Sequence, residues 1–297
     1  MANENNGILY LRRKDVEQAR QDIDVVAVIR EVFKMHSLKQ TILPEEAYLS
    51  WTNDQGEMAR SLNMPGYIGG SIRIAGTKFI NANICNPGRG VPRANAVTLL
   101  YDDTSARIIC IMEGAYLSSL RTAAVTALAV DLLQGPPIHC LAVIGAGVLA
   151  RAHIDLLLKT LPELQQIRIF DINHERIATL QQELAPALQM HNVTLQEVAS
   201  AQEAICYAQV IVPVTTVTMG YIHFDWLAPG SILVNVSLDD PLPEVVMKAT
   251  TVIVDDWNLV RSDQRRLIGR MYREGKVLGP DEYGEALRHS SDASIWS

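Results

Sequence analysis

The sequence predicts an α/β protein in which a doubly wound parallel sheet is joined to a smaller α+β domain. Three observations carry this. Residues 139–176, HCLAVIGAGVLARAHIDLLLKTLPELQQIRIFDINHER, read as an apolar strand, a glycine turn, a helix, a second apolar strand and an acidic tip at Asp171. Beyond that tip strand and helix patterns keep alternating, which calls for parallel strands joined by crossovers. The first third of the chain instead carries strand-like segments in succession, the pattern of a mostly antiparallel sheet.

Taken in order, Val25, Val28, Ile29, Val32 and Phe33 recur at helical period, so a helix covers 25–39, and TILPEEAYLS after it reads as extended chain. Strands follow in TKFINANIC, NAVTLLY and RIICIME, the last two flanking the turn residues Asp102, Asp103, Thr104 and Ser105. Residues 117–133, rich in Ala and Leu, form a long helix that Gly135, Pro136 and Pro137 stop. After Asp171 come a helix near 175–188 and strands at 207–212, 231–236 and 251–254. These changes of pattern divide the chain into a first domain at 1–116 and a second at 117–275 that includes its lead-in helix, with 276–297 following.

The segment at 139–176 has the layout of a Rossmann dinucleotide-binding unit. Gly145 permits the tight turn out of the strand, Gly147 lets a pyrophosphate approach the backbone, and Ala150 allows helix and sheet to pack closely. Gly145, Ala146, Gly147, Val148 and Leu149 would supply the backbone of the phosphate site at the helix N-terminus. Asp171 would accept from both ribose hydroxyls and repel a 2′-phosphate, so the expected cofactor is NAD rather than NADP.

Composition narrows the partners. A net charge of −7 with no basic run argues against nucleic acid or an anionic membrane, and 48% hydrophobic with 20% charged residues is ordinary for a globular protein. No run of 18 apolar residues lacks a break, and MANENNGILYLRRKD lacks the basic-then-apolar pattern of a signal peptide. The expected compartment is the cytoplasm. Cys85, Cys110, Cys140 and Cys206 are scattered, so buried thiols are expected and no metal is assigned.

Three further strings, GTKFINANICNP at 76–87, SSLRTAAVTALA at 118–129 and LVNVSLDDPLPEV at 233–245, resemble the ornithine cyclodeaminase and μ-crystallin family. RSLNMPGYIGGSIRIAGTKFI, IMEGAYLSSLRTAAV, YIHFDWLAPGSILVNVS and ATTVIVDDW are most similar to its siderophore-pathway branch. The resemblance runs from about Tyr48 to Val260. It implies a substrate and dimerisation domain built from the two chain ends, a central Rossmann domain and a homodimer. Relatives continue for several tens of residues in a segment that returns to the first domain, and the resemblance here stops after Gly279. The expectation is a shortened first domain with exposed apolar surface.

Site residues follow from the resemblance. Lys78 matches the family lysine that holds the substrate carboxylate beside the reacting carbon; as a bare residue it is either an anion holder or a strand lysine facing solvent. Arg121, in the S-x-RTAA string, matches the arginine that forks a carboxylate or a cofactor phosphate. Asp240, five residues beyond Asn235, falls where the family places its catalytic carboxylate, with Asp239 leaving the register open by one. Thr216 either lines the nicotinamide pocket or is simply a β-branched strand residue. The branch carries an arginine where this chain has Ser50, so Arg60 or Arg73 would have to anchor a second carboxylate.

The implied activity is NAD-dependent oxidation of a secondary amine such as N-(2-amino-2-carboxyethyl)-L-glutamate, with hydrolysis to 2-oxoglutarate and L-2,3-diaminopropionate for siderophore or antibiotic precursors. Two other activities stay open: a cyclodeaminase that recycles NAD and releases ammonia, and a non-catalytic NAD(P)H-dependent binding protein.

Overall fold

The computed structural model describes residues 7–263, 265–280 and 282. It separates into two compact units, residues 1–128 and residues from 129 onward. The first opens with β1 (Leu9–Leu11), α1 (Arg13–Ala19) and α2 (Val25–Ser37). Helix α2 starts where the Asp24 side chain accepts from the Val26 and Ala27 amides, satisfying donors that a helix start leaves free. There follow β2 (Thr41–Ile42), β3 (Ala47–Thr52), β4 (Met58–Ile68), β5 (Ile74–Asn83), β6 (Ala94–Tyr101) and β7 (Ile108–Glu113).

These strands form one sheet in the order β1-β7-β6-β5-β4-β2, with β3 also on β4. Every pairing is antiparallel except β1 with β7. The expected strands at β5, β6 and β7 are present, and β4 is a strand the sequence did not announce. Its residues are half-buried on both faces almost throughout, so no alternation marks it. Because side chains alternate and registered partners share a face, Arg60, Met64, Lys78, Ala82 and Thr98 project from one side of this sheet.

Helix α3 (Ala115–Leu133) begins where the Glu113 carboxylate accepts from the Ala115 and Tyr116 amides. By length and composition α3 would suffice to cross a membrane. Its Ala123, Ala124, Ala127 and Leu128 are buried in the protein core, which accounts for the same apolar run.

The second unit contains β8 (Cys140–Ile144), α4 (Val148–Thr160), β9 (Gln166–Phe170), α5 (His174–His191), β10 (Thr194–Glu197), α6 (Ala201–Ile205), β11 (Val210–Pro213), β12 (Ile232–Leu233), α7 (Pro243–Lys248), α8 (Trp257–Ser262) and α9 (Leu267–Arg273). Its sheet runs β10-β9-β8-β11-β12 with every pair parallel. The order reverses between β8 and β11, so ligands of this doubly wound sheet gather beyond the carboxyl ends of those two strands. Leu141, Ala142, Val143, Ile167, Ile169, Val210, Ile211 and Val212 are fully buried, as expected for strands covered on both faces. Each large one contributes about 1.5–3 kcal/mol of transfer free energy.

Two expected strands differ. The one at 231–236 is reduced to β12, which makes only the pairs Val210 with Ile232 and Ile211 with Leu233 before the chain leaves the ladder. Residues 251–254 form no strand, because β-branched residues without a neighbouring ladder gain nothing from extended pairing. Val252 packs instead against a cluster of Val246, Leu267, Met271 and Val277. Of the segment 276–297, expected to complete the first domain, residues 281 and 283–297 lie outside the described residues.

Candidate active site

At the end of β8, Gly145 has φ +101°, a conformation that a side chain strains, and an added Cβ would lie 3.0 Å from the Val214 carbonyl oxygen. Gly147 caps α4, and an added Cβ there meets nothing within 4 Å. The turn is therefore closed against β11 and open beside the helix start, where the first-turn N–H groups are free to receive an anion. Ala150 is fully buried beneath it and Val148 is exposed. This cradle fits a dinucleotide pyrophosphate.

Asp171 is 8% exposed, and both its oxygens already serve the backbone. Oδ2 accepts from the Ala146 amide at 2.7 Å and Oδ1 from the Asn173 amide at 2.8 Å. The carboxylate thus ties the glycine turn to the tip of β9, with one lone pair left on each oxygen for a ribose hydroxyl.

The loop beyond β12 returns to the other side of the order reversal. Asp240 is fully buried, and its Oδ1 accepts from Thr215 Oγ1 at 2.6 Å and Tyr221 Oη at 3.0 Å. Its backbone carbonyl accepts from the Tyr221 and Ile222 amides. Its Oδ2 is buried with no hydrogen-bond partner among the described residues. A buried carboxylate oxygen without a partner costs stability unless a ligand or proton uses it. Burial, and then the neighbouring Asp240 charge, pushes the Tyr221 phenol far above its ordinary value, so it stays a donor.

Asp239 differs sharply from its neighbour. Its carboxylate pairs with Arg270 at 2.6 Å, which occupies it in holding α9. Thr216 is exposed and lies beyond β11 in a loop, not at the strand end. Thr215 is the residue that turns inward, and its amide is fixed by Ser237 Oγ at 2.9 Å. Nothing local in VPVTTVT distinguishes the two threonines; the partner that does so is 25 residues away.

In the first unit, Lys78 is half-buried on β5 and its Nζ donates to Ser118 Oγ on α3 at 3.0 Å. Burial first, then the Arg121 guanidinium, pushes its pKa down to about 8, against a weaker opposing pull from Glu46. Arg121, exposed on α3, is near enough for its charge to act on Lys78. Ser118, three residues before Arg121 and so on the same helix face, was legible only through that spacing. Arg60 is half-buried and projects from the same sheet face as Lys78. Arg73 drops out as an anchor: its guanidinium is held by Asp103 at 2.6 Å and 3.0 Å in an exposed turn.

A model of the ornithine cyclodeaminase/mu-crystallin family matches residues 9–263. The chain is 30% identical over 276 residues to N-((2S)-2-amino-2-carboxyethyl)-L-glutamate dehydrogenase of Staphylococcus aureus, covering 92% of this chain and 81% of that one. It is 27% identical over 196 residues to ketimine reductase mu-crystallin of Rattus norvegicus, covering 65% of this chain and 60% of that one. Among solved structures, that of CmnK superposes with a TM-score of 0.84 at 36% identity, covering 90% of this chain and 80% of that one. An archaeal alanine dehydrogenase with bound NAD shares the fold, at a TM-score of 0.75 and 19% identity over 91% of this chain and 80% of that one. The chain belongs to the ornithine cyclodeaminase/mu-crystallin family.

Proposed function

We propose that the protein is an NAD-dependent dehydrogenase acting on a carbon–nitrogen bond of N-(2-amino-2-carboxyethyl)-L-glutamate. With water and NAD it yields 2-oxoglutarate, L-2,3-diaminopropionate, NADH and a proton. Bound NAD supplies the hydride acceptor, the one step that protein side chains do not perform. The observation that carries the reading is the Lys78 and Arg121 pair, two cations brought together on the sheet face and helix that the family resemblance assigns to a substrate carboxylate.

In this reading Lys78 and Arg121 clamp the carboxylate and fix the α-hydrogen in line for transfer, an orientation effect. Asp240, through the oxygen that no hydroxyl engages, takes a proton from the amine or from the hydrolytic water. Thr215 and Tyr221 hold the other oxygen so that the free one keeps its aim. The neutralised Asp239 suits a structural role. Gly145, Ala146, Gly147, Val148 and Leu149 hold the cofactor phosphates, and Asp171 reads the ribose and disfavours a 2′-phosphate. Domain 1–116 binds substrate, and 117–275 binds cofactor.

A homodimer is supported by the opposite face of the first sheet, where Leu49, Trp51, Phe79 and Val97 share one side and are 36% or more exposed. The cytoplasm is the compartment proposed, with the product entering siderophore or antibiotic precursors. Incubation of purified protein with NAD and the amino acid tests the reading. Net NADH with matching 2-oxoglutarate supports it; ammonia without net NADH favours a cyclodeaminase, and NADH binding without turnover of any amino acid favours a binding protein.

A further inference from the structure

Glu46 stands one residue before β3. Carried back from the pair Ala47 with Asn63, the β3–β4 register sets it opposite Met64, in the row Met64, Lys78, Thr98 and Met112. Registered partners share a face, so Glu46 belongs to the side of the sheet that carries Lys78. Upstream, Ile42 pairs with Tyr67, so the four residues 43–46 oppose only the three from Met64 to Gly66. That extra residue makes a bulge, the local device by which a strand re-aims a side chain. The electrostatics agree: burial and Arg121 press the Lys78 pKa down, and the Glu46 charge opposes them. Glu46 is half-buried, and its carboxylate makes no hydrogen bond or ion pair with any described residue. A partly desolvated carboxylate in that position is a costly arrangement unless a cation fills the space beside it.

We propose that Glu46 reads the free amino group of the substrate, binding it as an ammonium while Lys78 holds a carboxylate. The inference rests on the dehydrogenase reading only for the identity of that substrate. Two strand spacings separate Glu46 from Lys78, roughly 10 Å between their backbones, with Met64 between them in the row. In N-(2-amino-2-carboxyethyl)-L-glutamate the primary amine lies about 6 Å from the carboxylate carbon beside the reacting centre when the chain is extended. With one hydrogen bond at each end, that length bridges the two side chains. A charged acceptor facing an ammonium makes the stronger class of hydrogen bond. The opposed charges of Glu46 and Lys78 also fix the direction in which the substrate lies, because the reversed pose sets carboxylate against carboxylate. An analogue without the amine leaves the Glu46 carboxylate unpaired, and one with an acid in its place is repelled.

The test compares wild type with Glu46→Gln and Glu46→Asp. Affinities of the NADH-loaded protein for N-(2-amino-2-carboxyethyl)-L-glutamate and for N-(2-carboxyethyl)-L-glutamate, which lacks only the primary amine, are read by NADH fluorescence beside KM and kcat. Wild type should prefer the amine-bearing compound by at least about tenfold. Glu46→Gln should abolish that preference and raise KM by at least about tenfold, with a smaller change in kcat and NADH affinity unchanged. Glu46→Asp, one methylene shorter, should keep only part of the preference. Equal binding of the two compounds by wild type, or an undiminished preference in Glu46→Gln, overturns the proposal. A Glu46 that merely keeps Lys78 charged gives a different result: Glu46→Gln then weakens both compounds alike and moves the alkaline limb of kcat/KM to lower pH with the preference intact, which also overturns it. If wild type makes no NADH but binds the amine-bearing compound better in a Glu46-dependent way, the amine reader stands and the substrate assignment falls. Should Glu46→Gln fail to fold, Glu46→Asp and the wild-type comparison decide by the same readings.

Discussion

Replacing Asp240 by Asn separates chemistry from structure at one atom. The Asn carbonyl oxygen keeps the Thr215 and Tyr221 bonds now made at 2.6 Å and 3.0 Å, while its amide nitrogen takes the place of the unpartnered Oδ2. A neutral acceptor in place of a charged one weakens two hydrogen bonds, and the new buried N–H lacks an acceptor, at a stability cost of about 1–3 kcal/mol. Loss of the proton acceptor should lower kcat by about 10² to 10⁴ with NADH affinity nearly unchanged. Asp239→Asn should do the reverse. It breaks the partly buried pair with Arg270, costing stability on the order of 3 kcal/mol, and leaves kcat within about threefold. The assay is NADH production under saturating substrate, run beside chemical denaturation of both variants. A folded but inactive Asp239→Asn with an active Asp240→Asn would place the catalytic carboxylate one residue earlier; two active variants would remove Asp240 from proton transfer altogether.

Three further outcomes follow from the same geometry. Because the Lys78 ammonium titrates near 8 and holds substrate only when charged, kcat/KM should fall as pH rises through about 8; Lys78→Arg should remove that limb, and its persistence would contradict the role. Lys78→Ala and Arg121→Ala should each lose about 2–4 kcal/mol of transition-state stabilisation with the fold intact by circular dichroism, and wild-type activity in either would show the carboxylate lies elsewhere. Asp171→Ala should narrow the gap between NADH and NADPH in fluorescence titrations while weakening both, because the Ala146 amide loses its acceptor; a preference for NADPH in the wild type would refute the ribose assignment.

The Rossmann half was legible because every part of its signal is contiguous. Gly145, Gly147, Ala150 and Asp171 lie within one strand–helix–strand unit, and local pattern alone sets them. Lys78 as a bare residue left two readings open, and only the family resemblance singled it out. The constellation around Asp240 was not legible, because Thr215 and Tyr221 reach it from 25 and 19 residues away through loops whose paths no periodicity records. Strand β4 was hidden by Asn63, Pro65 and Gly66, residues that signal turns, in a strand paired on both sides over most of its length. The segment 251–254 misled for the opposite reason, having strand composition with no ladder to join.

The proposed dehydrogenase reaction requires that hydride leave the α-carbon of the glutamyl moiety and stay on the cofactor. Substrate deuterated at that carbon, turned over with unlabelled NAD, tests it in one mass spectrum. Monodeuterated NADH, formed in step with unlabelled 2-oxoglutarate, is the expected result; deuterium recovered in a cyclic amino acid with no net NADH, or lost to water, would contradict the proposed reaction.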